Sequence, residues 1–159
     1  MRRNENRKIS VAIPCYNSSA YLIDALRVPL LDDRVDEIVL LDDASSPEQL
    51  KLAEEILSST KLIGDLYPEE HQAGGFANHS LKELAGKKLS CIAAAENMGA
   101  YIAKAQAVGL CKNDWVFLLD SDNYLLHSSI DALFSYEWDP KSCYYSSMQI
   151  RVKQDGRSF

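Results

Sequence analysis

Trp115–Asn123 reads WVFLLDSDN. Five apolar residues, Trp115 to Leu119, run without a break, and two carboxylates separated by one serine follow them: Asp120, Ser121 and Asp122. A short apolar run bounded by polar residues predicts a strand buried on both faces. Carboxylates placed where such a strand stops lie at its carboxyl end, where open α/β sheets bind their ligands. Two acids one residue apart suit a hard divalent cation such as Mn2+ or Mg2+, which takes oxygen ligands and brings phosphate oxygens with it. The pattern therefore points to Asp120 and Asp122 as metal ligands beneath a nucleotide diphosphate.

Working outward, the same arrangement recurs. Ile9–Pro14 (ISVAIP) predicts a first strand, ended by Pro14 because proline cannot donate to a ladder. The polar loop Cys15-Tyr16-Asn17-Ser18-Ser19 follows, and a helix with Ser18 or Ser19 as N-cap carries Leu22, Ala25, Leu26 and Leu30 at helical spacing, limited by Pro29. Glu37–Leu41 (EIVLL) predicts a second strand that stops at Asp42-Asp43-Ala44-Ser45. Ser46, Pro47 and Gln49 then form a helix-start signature of the capping-box type, ahead of a stripe of Leu50, Ala53, Ile56 and Leu57. Lys88–Ala94 predicts a third strand, followed by Glu96-Asn97-Met98-Gly99 and an alanine-rich helix marked by Ala100, Ala103, Ala107, Leu110 and Cys111. After the WVFLL strand, Ser128 and Asp131 form a cap signature with Ile130, Leu133 and Phe134 facing inward, and Tyr144–Val152 predicts a fifth strand. Residues 60–86, punctuated by Gly64, Pro68, Gly74 and Gly75, predict an irregular excursion with a short helix over Ser80–Ala85.

Strands and helices alternate throughout, which implies an α/β three-layer sandwich with a mostly parallel sheet and right-handed crossovers. Each of the first four strands is followed at once by a polar or small-residue cluster, so the four clusters are expected along one rim. The 159 residues fit a single domain, spanning 1–159. Seventeen Lys and Arg against 23 Asp and Glu give a net charge of −6, which argues against nucleic acid as a partner. The four cysteines (Cys15, Cys91, Cys111, Cys143) include no C-x-x-C pair and read as buried thiols of a reducing compartment. No run approaches the ~20 apolar residues of a membrane span. The chain thus reads as cytoplasmic, with a peripheral membrane role left open.

The motifs IPCYN, LLDDAS, ENMG and LLDSDN, each behind a strand and in this order, resemble those of the inverting, family-2-type glycosyltransferases with the Rossmann-like GT-A fold, over about residues 8–125. The resemblance implies a donor site for a nucleotide-diphosphate sugar, a UDP-sugar favoured, and an acceptor that the sequence does not name. It implies that Pro14 and Tyr16 border the nucleobase with the tyrosine ring packed on it, and that Asn17 belongs to the same loop. Asp43 would accept the imide N–H of the base, with Asp42 its neighbour. Asn97, Gly99, Lys104 and Ser121 would join the nucleotide-sugar site, Asp120 would lie near the ribose and sugar, and Asp122 would bind the metal directly.

This chain departs from the family pattern in places. Where the family often has Ala-Arg-Asn-x-Gly, residues 103–107 read AKAQA, so Lys104 keeps the positive charge without the forked geometry of arginine. The acids after Asp122 are Asp131, Glu137, Asp139 and Asp155, and none sits in a recognisable general-base motif. The chain is therefore expected to correspond to the donor-binding half, with the acceptor-binding half absent. The alternative is a non-catalytic nucleotide-sugar-binding or scaffold module. A phosphotransfer receiver is a poorer reading, because receivers pair their acids after the first strand, and here they follow the second and fourth. An unfinished sheet edge invites pairing, so a homodimer stays open.

Overall fold

Among the described residues one sheet forms, its strands running side by side in the order Leu89–Ala93, Val35–Asp42, Ile9–Cys15 and Val116–Leu118, with every neighbouring pair parallel. The computed structural model describes residues 7–58 and 89–135. The expectations for residues 60–86 and for a strand over Tyr144–Val152 lie outside them. In chain order, β1 is Ile9–Cys15, a 3-10 turn spans Ser19–Tyr21, α1 is Leu22–Leu31, and β2 is Val35–Asp42. Then come α2 (Pro47–Ser58), β3 (Leu89–Ala93), α3 (Ala100–Gly109), β4 (Val116–Leu118) and α4 (His127–Ser135).

Alternation along the strands sends successive side chains to opposite faces, and each face meets its own helices. On one side Val11, Ile13 and Cys15 of β1, with Ile38 and Leu40 of β2, pack with Leu22, Ala25, Leu26 and Leu30 of α1 and Ile130 of α4. Ala53, Ile56 and Leu57 of α2, and Leu133 and Phe134 of α4, pack against that core. On the other side Ala12 and Leu41 meet Ala103 and Ala107 of α3. Small residues on both partners there let the helix lie close to the strands. The first core holds the larger side chains, each contributing about 1.5–3 kcal/mol when fully buried. The result is the three-layer α/β sandwich that the alternating pattern implied.

Several boundaries differ from expectation, for physical reasons. Pro14 does not end β1: it pairs with Leu41, and the strand runs on to Cys15. The Ser10 N–H donates to the Trp115 carbonyl and the Leu119 N–H to the Ala12 carbonyl, so the backbone of even-numbered residues faces β4. The proline nitrogen therefore faces the side where β4 has already stopped, level with Ala12, and no ladder bond is lost toward β2. Pro29 lies inside α1 and is buried; the helix continues to Leu31, and Asp32 returns its N–H to the Val28 carbonyl at 3.0 Å.

The WVFLL run is not a strand buried on both faces. The strand itself is Val116–Leu118, among the described residues it pairs with β1 alone, and Leu118 is 42% exposed. Leu110 and Leu50, expected inside, are also exposed. α4 starts at His127, so Ser128 is not its cap; Asp131 instead receives Arg34 Nη2 at 2.8 Å. Cys91 is exposed rather than buried.

At the amino end of the sheet the buried Glu37 carboxylate is fully engaged. It accepts the Ser10 hydroxyl at 2.6 Å and the Lys112 N–H at 2.7 Å, and lies 3.6 Å from the Lys112 ammonium. Burial pushes its carboxyl up, but the Lys112 N–H, the Ser10 hydroxyl and the Lys112 charge together outweigh it and hold it below the usual carboxylate range. A depressed folded-state value gives stability that is present above the unfolded value near ~4.3 and lost as pH falls through the folded one. Glu37→Gln is therefore expected to cost about 1–3 kcal/mol at neutral pH. In urea unfolding, the gap to wild type should close as the pH is taken below about 4.

Candidate functional site

Parallel register aligns the carboxyl ends of the strands. Cys15 pairs with Asp42 and Asp42 with Ala93. Leu118 pairs with Ala12, and the Leu119 N–H reaches the Ala12 carbonyl at 2.9 Å, so Asp120 emerges beside the tip of β1. The segments leaving the four strands enclose a cavity of about 360 Å3, lined by Pro14, Cys15, Tyr16, Ser18, Asp43, Asn97, Gly99, Ala100, Ala103, Lys104, Asp120, Ser121 and Asp122.

Nine of the sequence-predicted residues thus come together: Pro14, Tyr16, Asp43, Asn97, Gly99, Lys104, Asp120, Ser121 and Asp122. Asn17 and Asp42 are not among the lining residues; they build the turns beside it. The Asp42 carboxylate accepts the Ser45 N–H at 3.0 Å. Asn17, at φ 50°, gives its N–H to Ser45 Oγ at 2.9 Å and accepts the Ser46 N–H on its amide oxygen at 2.8 Å. That last bond takes the place of the second half of a capping box. The Gln49 side chain, freed of that role, accepts the Ser19 N–H at 3.0 Å, and Ser19 Oγ donates to the Gln49 carbonyl at 2.7 Å. The loop after β1 is therefore tied to the start of α2, and neither Ser18 nor Ser19 is a conventional helix cap.

Asp43 joins two strand tips. Its side chain is buried, and its two oxygens accept the Met98 N–H at 2.8 Å and the Gly99 N–H at 3.0 Å. Its backbone carbonyl accepts the Asn97 amide at 3.1 Å, and its own N–H reaches the Cys15 carbonyl at 2.8 Å. Gly99 sits at φ +83°, a conformation glycine reaches without strain, and it leads directly into α3. The carboxylate thus lies beside the positive end of the α3 dipole.

Across the cavity, Lys104 Nζ lies 2.7 Å from Asp120 Oδ1. Ser121 Oγ is 2.6 Å from Ser18 Oγ, which is 3.3 Å from Cys15 Sγ. This hydroxyl contact links the loop after β1 to the Asp-Ser-Asp turn. Cys15, Ser18, Ala100 and Ala103 also line the cavity; the sequence reading placed Ser18 at a helix start and the two alanines on a helix, and only their adjacency to Tyr16, Gly99 and Lys104 could have put them at the site.

Three carboxylates and one ammonium line the cavity, leaving it net negative and receptive to a cation. Among the described residues no cluster of three or more His, Cys, Asp or Glu forms a closed metal site. Two carboxylates on one turn nevertheless fit a cation of the Mg2+ or Mn2+ type, which keeps several waters and completes its shell with substrate phosphates. Among the described residues no helix is long and apolar enough to cross a membrane.

The double acceptance by Asp43 generates a prediction. Asp43→Asn presents an amide to one of the two backbone N–H donors and is expected to lower stability by about 1.5–3 kcal/mol, read from the urea midpoint.

The fold is similar to that of solved glycosyltransferases. The crystal structure of S. aureus TarS 1-349 matches with a TM-score of 0.54 and 20% identity, covering 80% of this chain and 31% of that one. The same TarS fragment has been solved with UDP and with UDP-GlcNAc. Mannosyltransferase PcManGT from Pyrobaculum calidifontis, in complex with GDP-Man and Mn2+, matches with a TM-score of 0.50 and 16% identity, covering 78% of this chain and 30% of that one. This chain therefore spans about a third of the length of these neighbours. Among curated proteins no sequence matches significantly. The fold is the Rossmann-like GT-A architecture that the motifs implied. The family model for glycosyl transferase family 2 matches residues 10–149, and the chain belongs to that family.

Proposed function

We propose that this chain is the donor-binding part of a glycosyltransferase, holding a nucleotide-diphosphate sugar, UDP-linked by preference, for transfer to an acceptor. The observation that carries the reading is the single cavity shared by Tyr16, Asp43, Lys104 and Asp120–Asp122. The nucleotide-bound states of TarS and PcManGT lend it support.

Each residue has a defined task in this reading. The Tyr16 ring, 53% exposed at the cavity mouth, packs on the nucleobase, a contact worth about 1–3 kcal/mol. Asp43, already accepting two backbone N–H groups, has lone pairs left for the imide N–H of a uracil. Lys104 and the amino end of α3 offer positive charge to the phosphates. Asp120 and Asp122 would hold Mn2+ or Mg2+, which would supply positive charge to offset the negative charge of a diphosphate leaving group.

A second reading has one observation in its favour. All three lining carboxylates, Asp43, Asp120 and Asp122, are committed to the donor, which leaves the acceptor proton to another group. On that basis the chain serves as a binding module. A donor-hydrolysis assay separates the two, since turnover selects the transferase.

Calorimetry with UDP and Mn2+ tests the binding common to both. Saturable, cation-dependent heat is expected for wild type. Tyr16→Ala should weaken UDP by about 5- to 100-fold, and Asp122→Ala should remove the cation dependence. Absence of any cation-dependent heat with UDP or GDP would reject the proposal.

A further inference from the structure

We propose that Lys104 and the donor-site cation compete for Asp120, so that Lys104 is a positioning residue that makes cation and diphosphate binding depend on each other. The inference rests on the donor reading above and adds a coupling to it.

Lys104 Nζ sits 2.7 Å from Asp120 Oδ1, on an open cavity wall where the two side chains are 38% and 42% exposed. A solvated pair of this kind is weak and exchanges readily. Among the described residues the neighbouring Asp122 carboxylate has no hydrogen bond or ion pair, so Asp120 is the one contested acid of the motif. The competitor is anchored at its base: Ala103 and Ala107 of α3 are buried against Ala12 and Leu41, which fixes where the Lys104 stem starts. The stem itself is long and flexible and ends in a point charge. An arginine would grip the carboxylate with a fork.

A divalent cation on Asp120 and Asp122 places two positive charges beside that ammonium. The flexible member of the pair yields, and a donor phosphate is the partner that can receive it. Conversely, a diphosphate entering alone meets two carboxylates of its own sign, and drawing Lys104 toward itself frees Asp120 for the cation. Each ligand supplies what the other displaces. The resulting coupling is positive and reciprocal.

Lys104→Met keeps much of the stem and removes the charge. Mn2+ binding is read from the free-ion electron paramagnetic resonance signal, alone and with UDP, corrected for the Mn2+–UDP complex in solution. The variant is expected to take Mn2+ alone about 3- to 10-fold more tightly than wild type and UDP alone more weakly. The factor by which UDP tightens Mn2+ should shrink. In an Asp120→Asn background the gain in Mn2+ affinity from Lys104→Met should vanish. A merely structural lysine would move Mn2+ affinity down or not at all.

Unchanged or weaker Mn2+ binding by Lys104→Met, or an undiminished gain in the Asp120→Asn background, overturns the coupling. If wild type still binds Mn2+ and UDP in that case, the donor reading survives. A wild-type protein that binds neither removes both.

Discussion

Parallel pairing of β1 with β2, with Cys15 beside Asp42, is the constraint from which the site follows. Parallel strands all point their carboxyl ends the same way, so every loop that leaves one opens on the same rim. Registering β3 and β4 against this pair carries the Asn97–Gly99 turn and the Asp-Ser-Asp turn to the tyrosine loop. No side-chain attraction between distant acids is needed to gather them; three like charges would resist it. The backbone ladder and the two apolar cores supply the free energy that holds Asp43, Asp120 and Asp122 around one cavity.

The two ends of the sheet handle buried polarity in opposite ways. At the amino end, the hydroxyl of Ser10 and the backbone N–H of Lys112 turn inward on Glu37, and the exposed Lys112 ammonium approaches it from solvent at 3.6 Å. Asn113 adds its amide to Ser10 at 2.9 Å and to Asp36 at 2.6 Å. That network is closed and serves stability. At the carboxyl end, Asp43 is satisfied by the backbone of the next strand's turn, yet Asp122 and the ring of Tyr16 remain turned to solvent. Groups whose pairing is left open, arranged on a rigid rim, are the ones a ligand can engage without breaking the fold.

Lys104 marks where this chain differs most usefully from the glycosyl transferase family 2 pattern. A forked guanidinium at that position would hold a carboxylate or a phosphate with two parallel bonds. An ammonium makes a looser, more exchangeable contact. The 2.7 Å contact with Asp120 places that looser cation within the acidic motif itself.

Much of this was legible in the residues. Alternating apolar runs and helical stripes specified the three-layer α/β class, because periods of 2 and 3.6 are imposed by local backbone geometry. The order of the four post-strand clusters specified the rim, since a parallel sheet leaves those clusters nowhere else to go, while the resemblance to the family named the individual residues, nine of which line the cavity. Tertiary structure decided what depends on contacts distant in sequence. Pro14 stays in its strand only because β4 stops short of it. The WVFLL run is half exposed because it lies at the margin of the described sheet. Asn17 and Asp42 turn to local backbone donors instead of lining the cavity, and Ser18 meets Ser121 across 103 residues. Side-chain partners of this kind are chosen by proximity in space, and a linear pattern carries no record of it.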